Sequence, residues 1–173
     1  MSQPNHTSEV TLAVDGRSHH LTVDNRVTLL DALREKIGVT APKKGCDHGQ
    51  CGSCTVLVDG RRAISCLTFV VAVDGADVTT ASGLGDGDHL HPVAQAFHDE
   101  DAFQCGYCTP GQICSAVGML DEAKSGSPSF IADDLEASPE LTADEIRERM
   151  SGNLCRCAAY PNIVAAISKA AGQ

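Results

Sequence analysis

The spacing of its cysteines limits this chain before any other feature does. They stand at 46, 51, 54 and 66, then at 105, 108 and 114, then at 155 and 157. The first four read C-x4-C-x2-C, with a fourth after eleven intervening residues. The later ones hold a C-x2-C and, after a gap of 46 residues, a C-x-C. Two sets of four leave one residue, Cys114, over. Thiols in this number either cross-link a chain or hold inorganic centres. Either way they dictate which loops must meet.

Disulfides need an oxidising compartment, and nothing in the sequence implies one. A C-x-C pair also holds its sulfurs too close for independent long-range bridges, and an odd count leaves a loose thiol. Zinc bound by four cysteines favours two short C-x2-C knuckles. The second set passes for that with some strain; the first does not, because three of its thiols share one short loop. C-x4-C-x2-C with a distant fourth cysteine is the plant-type 2Fe–2S spacing. Two irons bridged by two sulfides need two thiolates each, so one loop has to wrap the core. Gly45, Gly49 and Gly52 are interleaved with these cysteines. They remove Cβ groups where backbone passes close to a cluster and let N–H groups turn toward sulfur. Rieske ligation would need a C-x2-H partner for the Cys46-x-His48 pair. No cysteine has a histidine three residues on, so His48 reads as a loop residue.

Composition narrows the remaining classes. Lys plus Arg is 13 and Asp plus Glu is 23, so 13 − 23 gives a formal charge of −10 over 173 residues. An acidic chain argues against a general nucleic-acid binder. No apolar run approaches the roughly 20 residues of a membrane span. The longest, Leu67 to Val73, has the size of a core strand. The first 30 residues lack a basic stretch followed by an apolar one, and the Arg61-Arg62 pair lies well inside the chain. The expectation is a cytoplasmic protein, or a periplasmic one if a leader has been removed. Six aromatics, four Phe and two Tyr, are few for two cores.

Along the chain, Val10 to Val14 and Leu21 to Val23 alternate around Asp15-Gly16 and predict a hairpin. Thr28 predicts an N-cap with Asp31 as capping-box partner, followed by a helix with Leu29, Leu30, Leu33 and Ile37 on one face and Gly38 as its stop. The first cysteine loop follows. Thr55 to Val58 and Val78 to Thr80 predict strands. The glycine-rich stretch Ser82 to Asp88 predicts a linker, dividing the chain into domains 1–84 and 85–173. Beyond it the pattern is helical. Pro92 to Phe103 is one helix. A second starts at Thr109-Pro110 with a stripe of Ile113, Ala116, Val117 and Leu120. A polar excursion runs from Gly126 to Pro139. Thr142 and Glu145 form a capping box for a third helix, with Leu141 and Ile146 as its staple. The fourth is Asn162 to Ala171. The class is α+β. Antiparallel packing of these helices would bring the Cys105/Cys108 turn and the Cys155/Cys157 turn to one end.

A plant-type domain followed by Gln104-Cys105-Gly106-Tyr107-Cys108-Thr109-Pro110-Gly111 and Asn153-Leu154-Cys155-Arg156-Cys157 resembles the iron–sulfur subunit of the molybdenum hydroxylases, the xanthine dehydrogenase family. The stretches Gln112 to Ser115 and Leu141 to Arg149 look closest to bacterial aldehyde oxidoreductase small subunits. The resemblance implies an N-terminal ferredoxin-like β-grasp domain with a 2Fe–2S cluster on Cys46, Cys51, Cys54 and Cys66. It implies a C-terminal four-helix bundle with a second cluster on Cys105, Cys108, Cys155 and Cys157. It also implies a large partner subunit carrying a molybdenum–pterin centre, in its cytosine dinucleotide form, and a medium partner subunit carrying FAD. The substrate would be hydroxylated at molybdenum with oxygen from water, and electrons would pass through the two clusters to FAD. Gln104 matches the family's pterin-contacting glutamine. No nucleic acid or membrane partner is implied.

The remaining residues read more plainly. Cys114 is expected to be a buried, inert thiol. Arg156, between two ligands, either offsets cluster charge or faces solvent or a partner subunit. Lys43-Lys44 reads as a solvated pair, and the seven histidines as surface residues. No general base, nucleophile triad or dinucleotide fingerprint is present, so substrate chemistry belongs on another chain. The alternatives are a free-standing two-cluster carrier, or the small subunit of a hydroxylase acting on xanthine, CO or an N-heterocycle.

Overall fold

The computed structural model describes residues 6–86, 88–132 and 134–172. Gly87 of the linker and Asp133 of the polar excursion lie outside the described residues, as do residues 1–5 and Gln173.

The N-terminal half is built on a hairpin. β1 (Thr7–Val14) and β2 (Arg17–Asp24) pair antiparallel from Thr7↔Asp24 to Val14↔Arg17. Both turn residues have positive φ, 48° at Asp15 and 75° at Gly16, which matches the right-handed twist of the strands. Val10, Leu12 and Val14 alternate inward and are buried. The strands outrun the alternating stretches because main-chain pairing continues where the side chains are polar. β3 (Thr55–Val58) pairs antiparallel with β4 (Arg61–Ile64), which sequence patterning did not mark, and with β5 (Asp77–Thr79). β5 runs parallel to β1 and completes a five-stranded mixed sheet in the order β2-β1-β5-β3-β4.

α1 (Leu29–Asp31) covers this sheet and continues as a π-helical stretch, Ala32–Ile37. Thr28 caps it by accepting from the Asp31 N–H over 3.1 Å. The second half of the expected capping box does not form, because the Asp31 carboxylate turns to Lys44. Gly38, at φ 85°, ends the stretch. The segment at 67–73 is not a strand. Val70–Val73 is a 3-10 turn whose Val70 N–H donates to the Val27 carbonyl, so only Val70 of the turn is fully buried.

Four helices form the other half: α2 (Pro92–Asp99), α3 (Thr109–Lys124), α4 (Ala143–Arg149) and α5 (Tyr160–Ala170). α2 stops four residues short of Phe103. Its end is capped by the Glu100 N–H on the Ala96 carbonyl, and Asp101 turns out at φ 48°. α5 starts two residues before the sequence suggested, with Pro161 in its first turn. Phe97, Met119, Ile146, Ala166 and Ile167 meet in one core. Phe97 is the one aromatic buried there. Phe69, Phe103, Tyr107, Phe130 and Tyr160 are all exposed, so aliphatic side chains fill the sheet core, and aliphatic side chains with Met119 and Met150 pack around Phe97 in the helical one. No helix among the described residues is long and apolar enough to cross a membrane.

Candidate metal centres

The first cysteine loop hangs between the π-helical stretch and β3. Lys43 N–H donates to the Ser53 carbonyl over 3.0 Å and closes its base. The Thr55 N–H and hydroxyl both donate to the Gly52 carbonyl. The Ser65 hydroxyl donates to the Cys54 carbonyl over 2.7 Å, which ties the fourth cysteine's segment to the loop. Cys54 and Cys66 are buried and pack with Leu30 of α1. Cys46 and Cys51 lie nearer the surface.

All four thiols of this set gather. Cys46 hydrogen-bonds Cys51, Cys54 hydrogen-bonds Cys66, and Cys46 also acts electrostatically on Cys66. Backbone N–H groups of His48, Cys51 and Gln50 point at Cys46 and hold its thiol down at about 6, against its burial and with help from the Cys51 side chain. One of them, Gln50 N–H, lies 3.2 Å from the Cys46 sulfur. Burial pushes Cys66 up to about 12. A Cβ added at Gly45 would lie 2.9 Å from the Cys51 sulfur, so that glycine makes room beside a thiol. The other two loop glycines answer to different neighbours: Gly49 to Leu67, and Gly52 to the carbonyl of Gly152 in the other half of the chain.

The second set assembles from two turns, as antiparallel helices would require. Cys105 hydrogen-bonds Cys157 and Cys108 hydrogen-bonds Cys155. The Tyr107 N–H holds the exposed Cys105 thiol below its usual range, whereas burial pushes Cys108 up to about 11. Ala159 N–H lies 3.4 Å from the Cys155 sulfur. Gln104 joins the two turns, its side-chain amide donating to the Cys157 carbonyl over 3.0 Å. Among the described residues no three Cys, His, Asp or Glu side chains close around a single point. The thiols lie two by two, which a binuclear core asks for and a lone tetrahedral ion does not. Four soft donors per site, in pairs, with backbone N–H groups aimed at sulfur, fit a 2Fe–2S core.

A cavity of about 350 Å³ belongs to the second set: Cys105, Cys108, Cys155 and Cys157 all line it, and Cys51 and Ser53 of the first loop reach its wall. Arg156 is exposed on its wall. Cys114 joins neither set. It is buried in α3, and burial pushes its thiol up to about 12. His48 donates from its ring to the Cys46 carbonyl and is exposed. Lys44 is not simply solvated; it bridges Asp31 of α1 and Asp47 of the loop. Lys43 donates to the Thr40 carbonyl.

A buried polar group that sequence patterning did not single out joins the halves. Asn153 donates to the Gly52 carbonyl over 3.0 Å and accepts from the Ser115 hydroxyl over 2.6 Å. Gln112 donates to the Asn153 carbonyl over 3.1 Å. Arg62 of β4 forks onto Glu122 of α3 and donates to the Arg149 carbonyl at the end of α4. The single Asn two residues before Cys155 was the one available signal. Nothing in spacing marks Arg62 or Glu122.

Two paired thiol sets, one on a mixed sheet and one on helices, define the class as a two-centre iron–sulfur protein. The comparisons with known proteins agree. The family model described as "2Fe-2S iron-sulfur cluster binding domain" matches residues 12–79, and the one described as "[2Fe-2S] binding domain" matches residues 80–168. The aldehyde oxidoreductase iron-sulfur-binding subunit PaoA of Escherichia coli K12 is 60% identical over 95% of this chain and 72% of its own length. The nicotine 6-hydroxylase small subunit of Paenarthrobacter nicotinovorans is 41% identical, over 98% of this chain and 93% of its own. Among solved structures, a chain of quinoline 2-oxidoreductase from Pseudomonas putida 86 superposes with a TM-score of 0.81 at 38% identity, covering 96% of this chain and 94% of that one. The chain belongs to the iron–sulfur subunits of the molybdenum hydroxylase family.

Proposed function

We propose that this chain is the electron-transfer subunit of an aldehyde-oxidising complex, with a large subunit that holds a molybdenum–pterin centre in its cytosine dinucleotide form and a medium subunit that holds FAD. Its ligands are Cys46, Cys51, Cys54 and Cys66 for one 2Fe–2S cluster and Cys105, Cys108, Cys155 and Cys157 for the other. The clusters supply one-electron redox steps when bound. The observation that carries this reading is the gathering of two paired thiol sets, with Cys51 of the first on the wall of the cavity that the second lines, in a chain with 60% identity to the PaoA iron-sulfur subunit. The lower identity, 41%, to the nicotine 6-hydroxylase subunit supports aldehydes over N-heterocycles as the substrate class.

What the chain's own residues do follows from their placement. The backbone N–H groups around Cys46 stabilise sulfur-borne negative charge, which raises the ease of reducing a cluster there. Gln104, exposed and fixed to the Cys157 carbonyl, is oriented to meet the pterin at the rim of the second site. Tyr107 and Tyr160 on that rim are exposed aromatics of the kind that anchor protein interfaces. They suit docking against the large subunit, and Leu67 and Phe69, exposed beside the first site, suit docking against the FAD subunit. The ferredoxin-like β-grasp and the four-helix bundle are then the two cluster domains, divided at 84/85. A cytoplasmic location accords with free thiols held for metal rather than for disulfides.

The test is co-purification of the tagged chain with its partners, with metal, sulfide and flavin analysis of the complex. Stoichiometric iron and sulfide together with molybdenum and flavin support the reading; a chain that purifies alone with both clusters refutes the subunit role. Within the isolated chain, Cys51→Ser is expected to remove the first cluster's reduced EPR signal and leave the second. Two unchanged signals would sink the ligand assignment.

A further inference from the structure

The sulfurs of the second set are met by N–H donors of two kinds. Tyr107 N–H serves Cys105, and Ala159 N–H lies 3.4 Å from the Cys155 sulfur. Both belong to the backbone and stay whatever side chain stands at 107 or 159. Cys108 is served by a side chain, the carboxamide of Gln112. Gln112 stands four residues further on in α3, and its own N–H donates to the Cys108 carbonyl over 3.0 Å. Helical side chains lean toward the N-terminus, so a residue at this spacing covers the turn that carries the cysteine.

Two acceptors fix which way this carboxamide points. Its Nε2 donates to the Asn153 carbonyl over 3.1 Å, and the same amide donates to the Cys108 sulfur. A flipped amide would set its oxygen against a carbonyl oxygen and a sulfur together, neither of which can donate to it once the thiol is a metal ligand. Asn153 is itself held, its carboxamide bound to the Gly52 carbonyl and to the Ser115 hydroxyl. Gln112 and Ser115 are each 1% exposed and Asn153 is 5% exposed. Water therefore does not compete for the donor, and a hydrogen bond in so dry a place is stronger than one at the surface.

We propose that Gln112 raises the reduction potential of the second 2Fe–2S cluster by donating to its Cys108 sulfur. The step is the gain of one electron by the cluster, with no bond broken and no proton moved. That electron adds negative charge which the ligand sulfurs share. A donor aimed at one of them stabilises the reduced state more than the oxidised one. The Asn153 carbonyl keeps the amide turned toward the cysteine. The proposal rests on the ligand sets given above.

The experiment uses the full holo chain and follows the reduced EPR signal of each cluster through a redox titration. Gln112→Met removes the donor at similar volume. Gln112→Asn keeps an amide that is one carbon too short to reach both acceptors. Ser115→Ala disturbs the same buried group and leaves the donor to Cys108 in place. Iron and sulfide content is measured first. The expected result is two clusters in every variant. The second cluster's midpoint shifts negative in both Gln112 variants, while the first cluster's stays where it was and Ser115→Ala moves neither. An unshifted second midpoint in the Gln112 variants would overturn the proposal. So would an equal shift in Ser115→Ala, or loss of the second cluster from both Gln112 variants, since either makes the effect one of packing. An unmodified chain that holds fewer than two clusters would overturn the ligand sets and the proposal together.

Discussion

Asn153, Gln112 and Gly52 show how single residues set the geometry between two metal centres. Gly52 has φ 67°, and an added Cβ would lie 2.4 Å from the Gly152 carbonyl and 2.7 Å from the Asn153 amide nitrogen. An L side chain there meets left-handed backbone strain and immovable backbone at once. Gly52→Ala should therefore destabilise the protein by about 2–4 kcal/mol, adding backbone strain to overpacking; a fall in the urea unfolding midpoint measures it. Cys114 makes the opposite case. It is 1% exposed, packs in α3 and touches neither thiol set. Cys114→Ala should keep iron and sulfide content unchanged while costing about 1 kcal/mol for the small void. Loss of a cluster in that variant would make it more than a core residue.

At the scale of elements, ends matter more than lengths. α2 begins on an unusual cap: the Nδ1 of His91 accepts from the Val93 N–H over 3.2 Å. Only the neutral ring can accept there. Burial holds the His91 pKa below its ordinary value; Asp121 opposes that shift and Lys124 supports it. A histidine whose folded pKa is depressed adds stability that is complete above its unfolded pKa and is lost as pH falls through the folded one. The wild type should thus lose thermal stability relative to His91→Asn as pH drops from about 7 to about 5, because asparagine caps without titrating. Parallel melting curves for the two proteins across that range would refute the cap's role. Caps were legible in sequence at Thr28 and Thr142, whose hydroxyls both accept as expected. Their box partners were not. Asp31 answers to Lys44, and Glu145 to Arg149 and Ser129, neighbours that only folding supplies.

Across the whole molecule, the two halves are clamped as well as stitched. Arg62 of the sheet binds both oxygens of Glu122 at 2.8 and 2.6 Å and reaches the end of α4 through the Arg149 carbonyl. Arg149 itself is 4% exposed in its side chain and pairs with Glu145 at 2.7 Å, so the clamp rests on a buried ion pair. Arg62→Met should lower stability by about 1–2 kcal/mol. That is the low end for charge-assisted bonds, because the two side chains remain 25% and 35% exposed. Calorimetry should then resolve the sheet half and the helical half as separate transitions where the wild type gives one. A single unsplit transition would show that the loop contacts alone couple the halves.

The sequence by itself determined what the chain holds: paired thiols at plant-type and C-x2-C/C-x-C spacing, glycine turns, and the helical stripes that bury Ile113, Ala116 and Ile146. These are local, because a ligand loop, a cap or an amphipathic stripe is written within a dozen neighbouring residues. Two features that looked local were not. The apolar run at 67–73 became a 3-10 turn because Val27 and the sheet claimed its backbone, and the polar strand β4 formed because β3 offered it an edge. Only the tertiary structure decided how the two centres face each other. That arrangement depends on hydrogen bonds spanning about a hundred residues, such as the 101 from Asn153 to Gly52, and partners so distant carry no spacing pattern because chain folding alone brings them within reach.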